Sequence, residues 1–467
     1  MAYRLGGKQG VLNESRTRSS SAMTDNRIAF LDQAAFLRLR ATGFETVGQT
    51  LWIYDREADM DGLRRFNENL GYGLLGRRIE RSPLPFGRPR LVAYHEAPDI
   101  DVAATPRPRS EITAWLDERA QIPVDPEYGP CWHLGVLPLQ DGGTAVSVVI
   151  THSVVDGVAG GLAVFEAING ITRDFGYPPP GSRGRMEGLL VDLWDALRGL
   201  PEVFRALLAL ILIVLRRDTG AAGQPGKPPT VSDGADEPIV TPSVTAFCDL
   251  ETWDSCALDL SGSSGSLFVS FATRLAQLMG RVRATDGAVT IIMPVSERTN
   301  DDTRANAVTA ITFDLDPDRA RTDLQFIRNE TKQSLSALKD TPNELLKPLP
   351  LVPYTPKWLA RKMEVLAMGT SDLPVGCSNL GELSQALTRV DGTGARYSSA
   401  RMFNRGATRQ RFERESGELY LFSGRLENSV FISVSAYQPG AENSNQYLRG
   451  LVEQTLADYS LKAELLG

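Results

Sequence analysis

The stretch from Gly143 to Ile150 is a run of small and β-branched residues that opens on turn glycines, the pattern of a strand. It runs unbroken into Thr151-His152-Ser153-Val154-Val155-Asp156-Gly157. From Val158 the apolar positions change period, with Leu162, Phe165 and Ile168 at three-residue steps, the spacing of a helix. A strand, a short polar loop and a helix in that order point to mixed α/β architecture. They also put the loop where a rigid scaffold holds chemically active side chains.

The same two periods recur along the chain. Helical spacing predicts helices over Ile28–Leu39, Asp61–Leu70, Leu267–Arg283 and Asn445–Leu461, and one or two over 187–217, stopped by Pro201. Strand patterns fall at Gln49–Tyr54, Val289–Pro294, Ala307–Leu315, Leu419–Phe422 and Val430–Tyr437. At 467 residues the chain exceeds one ordinary core. The expected division is a disordered extension over 1–22, a first unit over 23–185, a helical connector and mobile linker over 186–245, and a second unit over 246–467.

Composition narrows the function. A net charge of −7 argues against a nucleic-acid surface, which carries basic excess. Cys131, Cys248, Cys256 and Cys377 are scattered with no CxxC pair, so neither a zinc site nor a disulfide framework is expected, and a reducing cytoplasm fits. Residues 1–22 are polar and lack the apolar centre of an export signal. The longest apolar run, Ala206–Leu215, has ten residues, against the roughly 20 that span a bilayer. Its apolar character on all faces, with Arg216 and Arg217 at its end, suits contact of 206–217 with a membrane or lipid-droplet surface.

His152 is one of three histidines, beside His95 and His133. An imidazole titrating near neutrality can take a proton from a hydroxyl as that hydroxyl attacks a thioester, with no covalent enzyme intermediate. Asp156, four positions on, could hold the loop by pairing with an arginine, and Gly157 permits a tight turn into the helix. His95 reads as a surface loop residue and His133 as a strand residue. Gly71-Tyr72-Gly73-Leu74-Leu75-Gly76 matches the dinucleotide fingerprint but follows a helical pattern instead of a strand, so it is set aside. Arg396, Arg401, Arg405, Arg409, Arg411 and Arg414 form a basic cluster that suits CoA phosphates or a solvated loop equally.

The loop motif, with Pro130-Cys131-Trp132 before it and Met293-Pro294-Val295-Ser296-Glu297-Arg298 after it, resembles the wax ester synthase/diacylglycerol acyltransferase family, within the group that includes condensation domains and chloramphenicol acetyltransferase. Ala305-Asn306-Ala307-Val308, Ser378-Asn379-Leu380-Gly381 and Phe431–Tyr437 follow in family order, and the resemblance covers most of 23–460. Thr151 stands where the family has a further histidine, and Gly265-Ser266-Leu267-Phe268 where it has an Asn-Asp pair.

The resemblance implies two acetyltransferase-like α/β sandwich lobes with an active-site tunnel between them. It implies acyl transfer from acyl-CoA, a co-substrate and not a resident cofactor, to a hydrophobic alcohol. An acyl carrier protein is the alternative donor, and a catalytically impaired lipid-binding relative is the alternative class. His152 is then the general base. Thr151, Asp156, Gly157 and Arg298 are structural at the site, with Arg298 partnering Asp156. Ser296, Asn306, Ser378, Asn379, Arg405 and Arg409 are candidate substrate-binding residues.

Overall fold

The computed structural model describes residues 26–218, 237–299, 301–340, 346–367 and 373–467. The expected N-terminal extension and most of the expected linker lie outside the described residues. In chain order the strands are β1 (Glu45–Tyr54), β2 (Arg77–Glu80), β3 (Arg90–Ala93), β4 (Asp101–Val102), β5 (Trp132–Pro138), β6 (Thr144–Thr151) and β7 (Ser243–Asp249), then β8 (Val289–Ser296), β9 (Val308–Leu315), β10 (Val375–Glu382), β11 (Tyr397–Arg405), β12 (Glu418–Arg425), β13 (Ser429–Tyr437) and β14 (Ala463–Leu466). The helices are α1 (Phe30–Thr42), α2 (Met60–Leu70), α3 (Ile112–Gln121), α4 (Gly157–Ile168), α5 (Arg185–Asp218) and α6 (Leu250–Asp259), then α7 (Ser264–Leu278), α8 (Pro317–Thr322), α9 (Leu324–Asp340), α10 (Lys357–Ala367), α11 (Arg409–Arg414) and α12 (Asn445–Asp458).

The architecture is mixed α/β, as the alternating periods imply. A five-stranded sheet has the order β11-β1-β6-β5-β4, and a seven-stranded sheet the order β14-β7-β13-β12-β10-β8-β9. Strand β6 lies between β1 and β5 and is buried at every position, which explains its unbroken apolar run. Its Val146, Val148 and Ile150 join Trp52, Phe66 and Trp132 in one core, Ala145 and Val149 pack in separate smaller clusters, and α6, α7 and α12 pack with the second sheet in another core. The Gly265–Phe268 stretch is the first turn of α7. Ser263 and Ser266 form its capping box, and Leu267 and Phe268 enter the second core.

Two features depart from the sequence reading. Pro201 does not stop a helix: α5 runs through it from Arg185 to Asp218. Pro201 is exposed, so water can take the carbonyl that the missing N–H leaves unpaired. The arginine cluster is not a loop either. Arg396 adjoins β11, Arg401 and Arg405 lie on it, and the other three sit on α11. Strand β11 comes from the C-terminal half of the chain yet pairs antiparallel with β1 from Glu45↔Arg405 to Ile53↔Tyr397, completing the first sheet.

Candidate active site

Strand β6 ends at Thr151, so the next residue leaves the sheet with its backbone still anchored. The His152 N–H donates to the Thr46 carbonyl of β1 at 3.2 Å. Thr151 is fully buried and its hydroxyl donates to the Glu45 carboxylate, while the Ser153 N–H donates to the Thr151 hydroxyl at 3.2 Å. A histidine at 151 would find no open space there. Glu45 is in turn paired with Arg405, whose guanidinium also donates to the Ile122 carbonyl (2.9 Å) and the Val124 carbonyl (3.0 Å). Arg405 is therefore engaged inside the fold, behind the motif.

Asp156 has no ring to orient; it holds two loops together. Its extended backbone and Oδ1, which accepts the Ala159 N–H at 2.7 Å, cap the N-terminus of α4. Oδ2 accepts from Arg298 Nη2 at 2.6 Å and from the Ala307 N–H at 2.9 Å. Arg298 also donates to the Asp302, Arg304 and Ala305 carbonyls at 2.9–3.1 Å, so its fork folds the 298–305 loop around itself. With side-chain exposures of 4% and 7%, the expected Asp156–Arg298 pair is a buried one. Gly157 does not adopt a positive φ, contrary to a turn role. A Cβ there would stand 3.7–3.8 Å from Leu380 and Phe422, so this glycine keeps room in the apolar pocket those residues line.

The second loop is fastened to His152 directly. Asn306 Nδ2 donates to the His152 carbonyl (3.3 Å) and to Asp32 Oδ1 (2.9 Å), and Asp32 also accepts the Ala305 and Asn306 N–H groups at 3.0 and 2.8 Å. Burial raises Asp32 above the usual carboxylate range against those hydrogen bonds. Arg77, fully buried, joins the Val154 carbonyl (2.8 Å) to the Thr303 carbonyl. Sequence reasoning missed Asp32, Arg77 and Glu45. Asp32 and Glu45 carry no local signal, because each takes its partners from segments remote in sequence.

His152 lines two cavities. One, of about 100 Å³, is bounded mainly by apolar groups including Trp52, Ile150, Val155, Leu380, Phe422 and Phe431. The other, of about 950 Å³, is walled by α1 side chains such as Ala34 and Leu37, by Val352 and Met363, and by a polar group that includes Asn404 and Glu418. Burial, with a smaller contribution from Arg38, holds the imidazole below its usual 6.5, while Asp156, Asp32 and the residue's own backbone act in the opposite sense. The ring is thus neutral at neutral pH and able to accept a proton.

The other candidates are placed unevenly. Ser296 accepts the Arg298 N–H at 3.3 Å at the end of β8. On β10, Ser378 shares a 2.5 Å hydrogen bond with the Tyr420 hydroxyl, and Asn379 accepts the Gly381 N–H at 2.8 Å. That strand runs from Gly376 at the large cavity to Leu380 at the small one. Arg409 is exposed, faces Glu237 at 3.5 Å and lines neither cavity. His133 is a strand residue whose Nε2 lies 2.9 Å from the Arg119 carbonyl; burial lowers it to about 4. His95 stacks on Tyr72, with Nδ1 2.6 Å from the Gly71 carbonyl. Among the described residues no cluster of His, Cys, Asp or Glu could hold a metal ion.

No protein-family model and no curated protein matches the sequence. Solved structures do match. The first condensation domain of the CDA synthetase aligns with TM-score 0.54 and 13% identity over 96% of this chain and 100% of that one. The chain has the condensation-domain fold. The wax ester synthase/diacylglycerol acyltransferase from Marinobacter aquaeolei VT8 shares this condensation-domain fold at TM-score 0.53, with 15% identity over 93% of this chain and 98% of that one. So does polyketide synthase associated protein 5 from Mycobacterium tuberculosis, at TM-score 0.51 and 14% identity over 93% and 97%. These likenesses cover nearly all of both chains and agree with the resemblance carried by the sequence motifs.

Proposed function

We propose that the protein is an acyltransferase that moves an acyl group from a thioester to a hydrophobic alcohol, with His152 as general base. The observation that carries this reading is the position of a half-buried, neutral His152 where two cavities of different character meet. The alcohol oxygen bonds to the thioester carbonyl carbon as its proton passes to the imidazole. When the C–S bond breaks, the imidazolium returns that proton to the leaving thiolate, giving ester and free thiol and restoring the neutral base. Arg298, Asp156, Asp32 and Asn306 keep the loop in place and take no proton.

Acyl-CoA is the donor we favour, with a carrier-protein thioester as the alternative; free thiol release reports on both. Wild-type protein and His152→Ala are compared on a panel of both donor types with long-chain alcohols. Loss of the base should lower turnover by about 10²–10⁴-fold. Equal turnover by the two proteins would end the reading. Binding without turnover in the wild type would favour a lipid-binding role.

We further propose that the protein works at a lipid surface through α5. No helix among the described residues is long and apolar enough to cross a membrane. On α5, however, Met186, Leu190, Leu193, Leu197, Leu200, Phe204, Leu207 and Ile211 repeat at alternating four- and three-residue steps, and all are exposed. That outward stripe is longer than the 206–217 segment the sequence singles out. Trp194 adds an exposed indole with Arg198 stacked over its ring, a pairing suited to a polar–apolar boundary. The helix also packs on the 349–354 turn, whose Val352 lines the large cavity, so a lipid surface would lie near that cavity.

A further inference from the structure

We propose that the large cavity holds a second recognition point, in which Glu418 accepts a hydrogen bond from a hydroxyl or ammonium group of the acceptor substrate, remote from its reacting hydroxyl. The inference rests on the acyl-transfer reading and adds a substrate class to it: acceptors with two polar groups joined by an apolar spacer.

Glu418 opens β12 and lines the cavity that His152 also lines. Its hydrogen-bond donor is Asn404 Nδ2, 3.0 Å from each carboxylate oxygen. None of the ion pairs among the described residues includes it. A carboxylate offers about four acceptor sites, so one amide nitrogen leaves capacity unused. Asn404 cannot swing away, because its Oδ1 accepts the Thr46 hydroxyl at 3.0 Å, which fixes its amide orientation. The carboxyl is therefore held in place in the cavity wall with acceptor capacity to spare.

A second group in the same wall is unusual in the opposite sense. Arg281 is 7% exposed and lines the cavity, yet it has no carboxylate partner. It donates to the Ser416, Pro374 and Gly417 carbonyls at 3.0–3.4 Å, and its Nε is buried without a partner. Arg411, also in the wall, is committed to Glu415 at 2.9 Å. A wall shaped for stability alone would pair such charges or replace them with apolar groups, because isolated buried charges cost several kcal/mol. Here burial and Glu415 push Glu418 up to about 7 despite Arg281 and Arg411. Perturbed charges facing a cavity lined by both polar and apolar side chains are the signature of a binding wall.

The sheet sets the spacing. Thr46 is the register partner of Asn404, and its carbonyl receives the His152 N–H, so the three residues form a row across adjacent strands. At about 4.8 Å per strand, the Asn404 backbone lies roughly 10 Å from that of His152. An acceptor whose reacting hydroxyl meets His152 would reach Glu418 with a group about eight bonds away, an extended span of roughly that length.

The test is calorimetric binding of 1-octanol, 1,8-octanediol and 8-amino-1-octanol to full-length His152→Ala, with and without Glu418→Gln. Thermal melts confirm that each variant is folded. Because the measurement needs no turnover, it stands or falls independently of the acyl-transfer reading, which the thiol-release assay decides. The expected result is that the two bifunctional alcohols bind roughly tenfold or more tighter than 1-octanol, and that Glu418→Gln brings the ratio to about one. Affinities within twofold of one another, a preference that survives Glu418→Gln, or no measurable binding of any of the three overturns the proposal.

Discussion

Arg298 Nη2 lies 2.6 Å from Asp156 Oδ2, across 142 residues of sequence, and both side chains are buried. The pair fixes the loop that carries His152 to the loop that carries Asn306. Removing one partner of such a pair leaves a buried charge uncompensated.

Arg298→Met should therefore lower stability by about 3–5 kcal/mol and reduce turnover with it. Arg298→Lys should rescue little, since one ammonium cannot serve the Asp302, Arg304 and Ala305 carbonyls together with Asp156. Denaturant unfolding and thiol release check both; an unchanged midpoint in Arg298→Met would contradict the scaffold role.

The pH profile follows from the neutral imidazole. Burial holds His152 below 6.5, and only the unprotonated ring can take the alcohol's proton. The rate should be level across the neutral range and half-maximal at a pH under 6.5. A kcat/KM profile that still rises above neutrality would assign the base elsewhere.

Glu418 gives the opposite sign to the usual carboxylate. Its ordinary value is 4.5 and its folded value about 7, so between these the folded protein holds a proton that the unfolded chain has shed. Stability contributed by this group falls as pH rises through that window and is lowest above it. The charged groups acting on it are Glu415, which raises it, and Arg281 and Arg411, which lower it. Glu418→Gln should match the wild type in thermal melts near pH 4.5 and gain on it steadily towards pH 7. A difference independent of pH would refute this.

The α5 stripe predicts retention on lipid vesicles. Leu197 and Phe204 are 51% and 62% exposed, so the double change Leu197→Glu with Phe204→Glu should leave the melting temperature nearly unaltered. Flotation with anionic vesicles should be clear for the wild type and lost in the variant. Equal flotation of the two, or none by either, would reject the surface role.

Elements with a clean period were legible in the sequence. The strand at 143–150 matches β6, which is buried along its whole length, and the helices beginning near Asp61 and Asn445 match α2 and α12, each dictated by one buried face. Strand β11 was not legible: Arg401 and Arg405 look solvated until their partners, Asp117 and Glu45, appear from other elements. In the site, His152 and the Asp156–Arg298 pair could be read from motif order. Asp32 and Glu418 could not, since each owes its character to burial and to contacts that no local pattern encodes.

The pairing of β11 with β1 orders events in time. A nascent chain carries the long outer edge of β1 uncovered from residue 45 until some 350 further residues have emerged, because the strand that closes it spans Tyr397–Arg405. Closing so large a loop is slow, and an open edge meanwhile can pair with other chains. A fragment that ends before Tyr397 would keep every residue of the histidine loop and still lack the strand that seals its sheet, so the histidine loop cannot be studied as a separate piece.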